Sequence, residues 1–263
     1  MEAFHALLLG IIQGITEFLP ISSSGHLVLM PWFFDWKDQG LAFDVALHFG
    51  TLLAVMAYFW RDWVNIFRAV FTGRQKGEYK SGYLWILIVA SAPGAAAGFF
   101  LNDLVEEVLR NPLIVAFNLA FFGLLLYAAD KYFFKKKNIG QAGFREGVLI
   151  GLAQALAVVP GTSRSGVTMT AGLALGMTRK AAARFSFLMA TPIIFGAMVY
   201  KAGDFWANGI SGPDIIGIMV ASISGYLAIA GLLRFVEKAG YRWFFYYRLC
   251  LAAVILLFIF FVR

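Results

Sequence analysis

The chain has 263 residues, 60% of them hydrophobic and only 14% charged, against roughly a half and a quarter in soluble domains. This composition argues against a soluble domain and for an integral membrane protein, and 27 Phe and seven Trp suit lipid-facing and interfacial surface. The formal net charge of +7 is spread in short runs between apolar segments, a positive-inside pattern rather than a nucleic-acid footprint, and the single Cys250 excludes an internal disulfide framework.

In chain order, the first apolar region, residues 3–34, is long enough for one membrane span and a half. It carries no basic leader, so Met1 onward is read as mature. Its middle is broken by Phe18-Leu-Pro-Ile-Ser-Ser-Ser-Gly-His26. Stretches of about 20 mostly apolar residues, the length of a span, follow at 41–60, 81–101 and 112–132. A second overlong region, 145–176, is broken by Val159-Pro-Gly-Thr-Ser-Arg-Ser-Gly-Val167, and spans follow at 184–201, 213–234 and 242–262. A helix tends to stop before Pro20 and Pro160. Broken backbone at membrane depth persists only where protein or a water-filled cavity satisfies it. The predicted fold is therefore an all-α membrane protein of six transmembrane helices plus two re-entrant helix–loop–helix hairpins.

Charge orients these elements. Arg61, Arg68, Arg74, Lys76 and Lys80 follow the first span. Lys131, Lys135, Lys136, Lys137 and Arg145 precede the second broken region. Arg179, Lys180 and Arg184, then Arg234, Lys238 and Arg242, flank later spans. The remaining connections carry Asp35, Asp38 and Asp44, then Asp103, Glu106 and Glu107, then Asp204 and Asp214. With the basic runs in the cytoplasm every span alternates, the first hairpin enters from outside, the second from inside, and both termini lie outside.

The broken regions also repeat. Gly10-Ile-Ile-Gln13 precedes Ser24-Gly25 at the spacing by which Gly151-Leu-Ala-Gln154 precedes Ser165-Gly166, with Ser22 and Ser163 in step. Each is followed by three spans, and an odd number inverts the second half. The expectation is one membrane domain of two inverted repeats, residues 1–134 and 141–263, with a site near the midplane where the broken helices meet.

Glu17 lies one turn after Gln13 inside an apolar run, and an ionisable group at that depth marks function by default. Ser22, Ser23, Ser24 and His26 occupy the first turn of a new helix, where free N–H groups and the helix dipole suit a phosphate. Either His26 or an activated Ser23 is a candidate nucleophile on phosphorus. In the second loop Arg164 stands between Ser163 and Ser165, near Thr162 and Thr168. Its planar fork matches phosphate oxygens, and a structural Arg164–Glu17 pair is the rival reading. The other polar residues read as architecture. His48 is expected to pack within its span, His5 to be incidental, and Arg248 to snorkel to the cytoplasmic interface. Lys135–Lys137 read as a topology signal near anionic lipid, and the Tyr and Trp residues of 241–247 as an interfacial belt. No His/Cys cluster supports zinc. A hard divalent cation shared by Glu17 and a diphosphate is an oxygen-ligand expectation.

The two motifs, Gln13-Gly-Ile-Thr-Glu17-Phe-Leu-Pro-Ile-Ser-Ser-Ser-Gly-His26 and Pro160-Gly-Thr-Ser-Arg-Ser-Gly-Val-Thr168, closely resemble the signatures of the bacterial undecaprenyl-diphosphate phosphatases, the bacitracin-resistance family. The resemblance covers essentially the whole chain. It implies a plasma-membrane hydrolase that converts undecaprenyl diphosphate to the monophosphate carrier lipid of cell-wall synthesis, with Mg²⁺ or Ca²⁺. By position it implies Glu17 as the essential carboxylate and tentative metal ligand, Ser23 and His26 as the catalytic hydroxyl and imidazole, and Arg164 as phosphate clamp. It makes Gln13, Ser22, Ser24, Thr162, Ser163, Ser165 and Thr168 substrate-binding. Gln13 stands where many members have an acid, which puts a second metal-binding carboxylate in doubt. The partners implied are the polyprenyl diphosphate and membrane lipids, with no nucleic acid, and a homodimer is left open. The competing class is an inverted-repeat transporter or flippase of a lipid phosphate or small anion, which needs no nucleophile.

Overall fold

A computed structural model describes residues 3–37, 40–101, 104–208 and 211–262, except the side chains of 40–42, 106, 107 and 201–208. Asp38 and Asp103, and the side chains of Glu106, Glu107 and Asp204, therefore lie outside the described residues. Among the described residues there are eleven α-helices and no strand beyond isolated bridges. Five helices are long and apolar enough to cross a membrane. They are α5 (Tyr83–Phe100), α6 (Pro112–Tyr132), the Arg179–Tyr200 part of α9 (Arg179–Asn208), α10 (Gly212–Ala239) and α11 (Arg242–Phe261). A sixth is reached by taking α3 (Gly40–Tyr58) with α4 (Trp60–Thr72), which bend by 73° at their junction. The chain is a multi-pass, all-helical membrane protein.

Helix α4 occupies part of the basic segment read from sequence as a connection. Trp63, Ile66 and Ala69 recur every third residue and are buried, while Arg61 and Arg68 on the other face are exposed. That stripe packs the helix onto the body of the protein. Gly73, at φ 63°, ends it in a left-handed cap.

Four helices flank the two broken regions: α1 (Ala3–Phe18), α2 (Ser23–Phe34), α7 (Phe144–Ala155) and α8 (Arg164–Ala174). At 1.5 Å per residue none exceeds ~24 Å, short of a hydrocarbon core of ~30 Å. The breaks fall at the prolines. Helix α1 ends two residues before Pro20, and α7 tightens into a 3₁₀ turn, Leu156–Val158, before Pro160. Each new helix starts from a serine in the left-handed region, Ser22 at φ 74° and Ser163 at φ 73°, whose hydroxyl accepts from the amide three residues on, at Gly25 and Gly166. A non-glycine residue there costs about 1–3 kcal/mol of backbone strain, and the capping bond offsets part of it.

Helix α1 lies along α10, and α7 along α5. Each contact is made by glycines one turn apart. A β-carbon on Gly14 would fall 1.9 Å from Ser224 Oγ, and one on Gly151 would fall 2.3 Å from the Ala90 carbonyl. In lipid, where apolar burial gives no drive to associate, small residues of this kind permit the backbone approach that holds helices together.

Two ion clusters tie the helix ends that carry the basic runs. Asp130 accepts from Arg179 at 2.6 and 3.1 Å, from the Tyr241 amide at 2.9 Å, and pairs with Lys135. Arg184 bridges Asp62 and Glu78 at 2.6 Å each, with Tyr79 bonded to Asp62. Lys135 and Lys137, read from sequence as topology signals, thus have protein partners, the latter Glu146 at 2.8 Å.

Candidate active site

The two proline loops meet. The Gly161 amide donates to Ser22 Oγ at 3.1 Å, and Ser165 Oγ donates to the Leu19 carbonyl at 3.1 Å, so each loop satisfies backbone or hydroxyl groups of the other. Asn118, from α6, adds a bond to the Pro160 carbonyl at 3.0 Å.

Arg248 completes this junction, and its place corrects the sequence expectation. It does not snorkel. It is fully buried and donates to the carbonyls of Pro20, Gly161 and Thr162 in the two loops and of Asn118 and Leu119 in α6, at 2.8–3.3 Å. A guanidinium has five N–H donors in a fixed plane and accepts nothing. Three of the five acceptors, at Pro20, Gly161 and Thr162, are carbonyls of the broken backbone, which needs internal partners away from water. The sequence hid this because the acceptors lie some 90 to 230 positions away.

On the other side of the loops lies a cavity of about 210 Å³ whose polar lining is Glu17, Ser23, Ser24, His48, Ser163 and Arg164, walled by Val45, Ile193 and Ile194. The buried Glu17 organises it. Its Oε1 accepts from Arg164 Nη2 at 2.6 Å, and its Oε2 accepts from Ser23 Oγ at 2.6 Å and from Gln13 Nε2 at 3.1 Å. The Arg164–Glu17 pair raised as a rival reading is thus present, and it stands inside the hydroxyl cluster. Arg164 also donates to the Ser186 carbonyl at 2.8 Å, which fixes its approach.

His48 is the group the sequence reading passed over. Its Nε2 is 3.4 Å from Glu17 Oε2, and its Nδ1 is 2.6 Å from the Asp44 carbonyl one turn earlier. An imidazole beside Phe49 and Gly50 in an apolar span carries no motif, and only the packing of α3 against the hairpin reveals its partner.

Other expected site residues face inward, away from the cavity. His26 has both ring nitrogens engaged, Nδ1 with the Ser22 carbonyl and Nε2 with Tyr247 Oη, each at 2.7 Å. A carbonyl only accepts, so Nδ1 carries the proton and a neutral Nε2 receives the tyrosine's. Tyr247, read as interfacial belt, thus belongs to this junction, and Tyr241 is fully buried. Ser22 caps its helix and bonds across to the other loop, while Ser165 shares a 3.2 Å contact with Ser163. Thr168 donates back to the Arg164 carbonyl at 2.8 Å and meets Ser186 at 2.7 Å, and Thr162 Oγ1 is buried without a partner.

The sequence model of the bacitracin resistance protein BacA family matches residues 6–254. The chain belongs to this family. It is 47% identical to a Moorella thermoacetica protein over 97% of both chains, 48% identical to one from Caldicellulosiruptor bescii over 98% of both, and 44% identical to one from Thermomicrobium roseum over the full length of both. All three carry the name undecaprenyl-diphosphatase.

The family resemblance implies a divalent cation, and the donors of this BacA chain do not make a site for one. Among the described residues no three His, Cys, Asp or Glu side chains group to hold a metal. The one carboxylate in the cavity, Glu17, already takes bonds from Arg164, Ser23 and Gln13 on its two oxygens. A hard cation requires several oxygen ligands around it, and the groups facing Glu17 are donors.

Proposed function

We propose that this chain is an undecaprenyl-diphosphatase of the bacterial plasma membrane, releasing the terminal phosphate of undecaprenyl diphosphate to return the monophosphate carrier lipid to cell-wall synthesis. The observation that carries the reading is Ser23 Oγ on Glu17 Oε2 at 2.6 Å with Arg164 on the other oxygen of the same carboxylate. A nucleophile, a base and a phosphate clamp within one small cavity match phosphoryl transfer, which asks chiefly for positioning and charge neutralisation.

In this reading Arg164 leaves Glu17 for the terminal phosphate, whose oxygens also meet Ser24 and Ser163. Ser23 Oγ then attacks the terminal phosphorus. The Ser23 O–P bond forms as the bridging P–O bond breaks, its electron pair stays on the lipid monophosphate, and the hydroxyl proton passes to Glu17. Water oxygen next bonds the phosphoserine phosphorus as the Ser23 Oγ–P bond breaks; Glu17 returns its proton to the departing Ser23 Oγ, and the protons of water leave on the inorganic phosphate. His26, with both nitrogens engaged behind the loop, positions Ser22 and Ser23. Gln13 steadies Glu17. Ser22, Ser165, Thr162 and Thr168 shape the loops that hold the cavity.

The architecture is read as two inverted repeats, 1–134 and 141–263, each a re-entrant hairpin and three spans. The matched left-handed serines, the glycine pairs of α1 and α7, and the crossed packing of α1 on α10 and α7 on α5 support this. With basic ends cytoplasmic and both termini outside, the cavity opens to the outer side. An apolar groove of about 310 Å³, lined by Leu52, Met56, Ile88 and Phe195, begins one turn after His48 on α3 and offers apolar surface for a lipid tail.

The test is phosphate release from undecaprenyl diphosphate in detergent, where no gradient exists and a transporter would do nothing. With radiolabelled terminal phosphate and acid quench, label is expected on Ser23, with turnover and label both lost in Ser23→Ala. Label on His26, or undiminished turnover in Ser23→Ala, would overturn the assignment.

A further inference from the structure

The Asp44 carbonyl accepts only, so the 2.6 Å contact places a proton on His48 Nδ1. Nε2 faces a carboxylate oxygen, also acceptor-only, at 3.4 Å. That contact is attractive when Nε2 carries a proton as well. Asp44 itself is drawn the other way, its Oδ2 bonded to Arg110 at 3.0 Å. His48 is therefore set as a donor in the cavity, its side chain a quarter exposed to it. Two protein donors, Arg164 and His48, then bracket the one carboxylate of the cavity. A carboxylate held this way makes a weak base for Ser23, since each donor stabilises its charged form.

We propose that His48 is a catalytic donor of this phosphatase. On substrate entry its Nε2–H transfers, with the Arg164 guanidinium, from Glu17 to the terminal phosphate, which neutralises the phosphate and frees Glu17 to take the Ser23 proton. The diphosphate itself thus switches on the base, and Gln13, a neutral donor, stays on Glu17 to hold its orientation. The inference rests on the phosphatase reading above.

Two variants and one spectrum test it. His48→Leu, which keeps bulk and removes the donor, is expected to lower kcat by about 10²-fold, the usual cost of one preorganised donor at a phosphoryl or oxyanion site, with a smaller change in KM. His48→Gln, which keeps an N–H, is expected to recover most of that loss. Wild-type turnover by His48→Leu, or a His48→Gln variant as slow as His48→Leu, would overturn the proposal. The chain has three histidines, His5, His26 and His48, so nitrogen NMR of the labelled wild-type protein isolates His48 as the signal missing from His48→Gln. Its Nε2 resonance is expected to shift when farnesyl methylenediphosphonate is added, and an unmoved resonance in the saturated protein would overturn the proposal even where a variant fails to fold. Should the wild-type protein release no phosphate, the phosphatase reading fails, while the same spectrum still decides whether His48 donates to a diphosphate.

Discussion

At the residue scale, Arg248 and Glu17 show opposite ways of keeping a charge at membrane depth. Glu17 is surrounded by charged and polar donors, whereas Arg248 meets only carbonyl dipoles, five of them, across both loops and α6. Unpaired, each buried carbonyl costs about 1–3 kcal/mol, so the arginine and the broken backbone are stable together and costly apart. Arg248→Met is expected to lower the unfolding free energy in detergent by roughly 3 kcal/mol or more, read as a fall in melting temperature. Arg248→Lys is expected to recover little of it, because an ammonium lacks the planar fork that serves five acceptors at once. Turnover should fall on the order of 10²-fold in both, since the loops carry Ser23 and Arg164 and a small displacement misaligns them. An unchanged melting temperature in Arg248→Met would remove this account of the junction. Of the site residues, Glu17, Ser23 and Arg164 were legible from sequence because a charge or hydroxyl at a proline break in an apolar run has few structural uses. His48 and Arg248 were not, for each looked like an ordinary occupant of its own helix.

At the element scale, the short helices are held by close packing with little contribution from length. The period of the apolar residues of α1 and α7 reports only that they are buried. Their glycines report where another backbone comes close. At Gly10, Gly14, Gly147 and Gly151 alike, an added β-carbon would stand within 3 Å of an atom of the facing helix. Gly14→Ala is therefore expected to destabilise by about 1–3 kcal/mol through overpacking. At Gly14 the near atoms include the Ala221 carbonyl at 2.6 Å, backbone that yields little. Gly98→Ala, with no atom within 4 Å of its β-carbon, is the control expected to leave the melting temperature in place. Equal behaviour of the two would sink the packing argument. Helix α4 was hidden at this scale for a simple reason: its arginines satisfy the rule for a cytoplasmic loop, and its three-residue apolar stripe is too short to announce a helix beside a span.

At the scale of the whole molecule, the proposed inverted arrangement makes a definite claim about sidedness. After Cys250→Ser removes the single cysteine, Ser211→Cys, between α9 and α10, is expected to react with a membrane-impermeant maleimide in intact cells. Gln75→Cys, after α4, is expected to react only when the membrane is opened. Labelling of both from outside, or of neither, would contradict the assigned topology and with it the outward opening of the cavity. The sequence by itself determined the membrane class, the approximate limits of five apolar spans, the two proline breaks and the residues at their tips. Each of these follows from local composition, from the length needed to cross lipid and from the conformational limits of proline. Only the tertiary structure decided that the tips touch, that Arg164 and Ser23 share one carboxylate, that His26 turns away to Tyr247, that His48 reaches Glu17 in the cavity and that Arg248 ties the two loops from a distant helix. Those outcomes depend on which buried donors find which acceptors among residues mostly far apart in the chain, and a requirement that every polar group at membrane depth be paired states the demand without naming the partner.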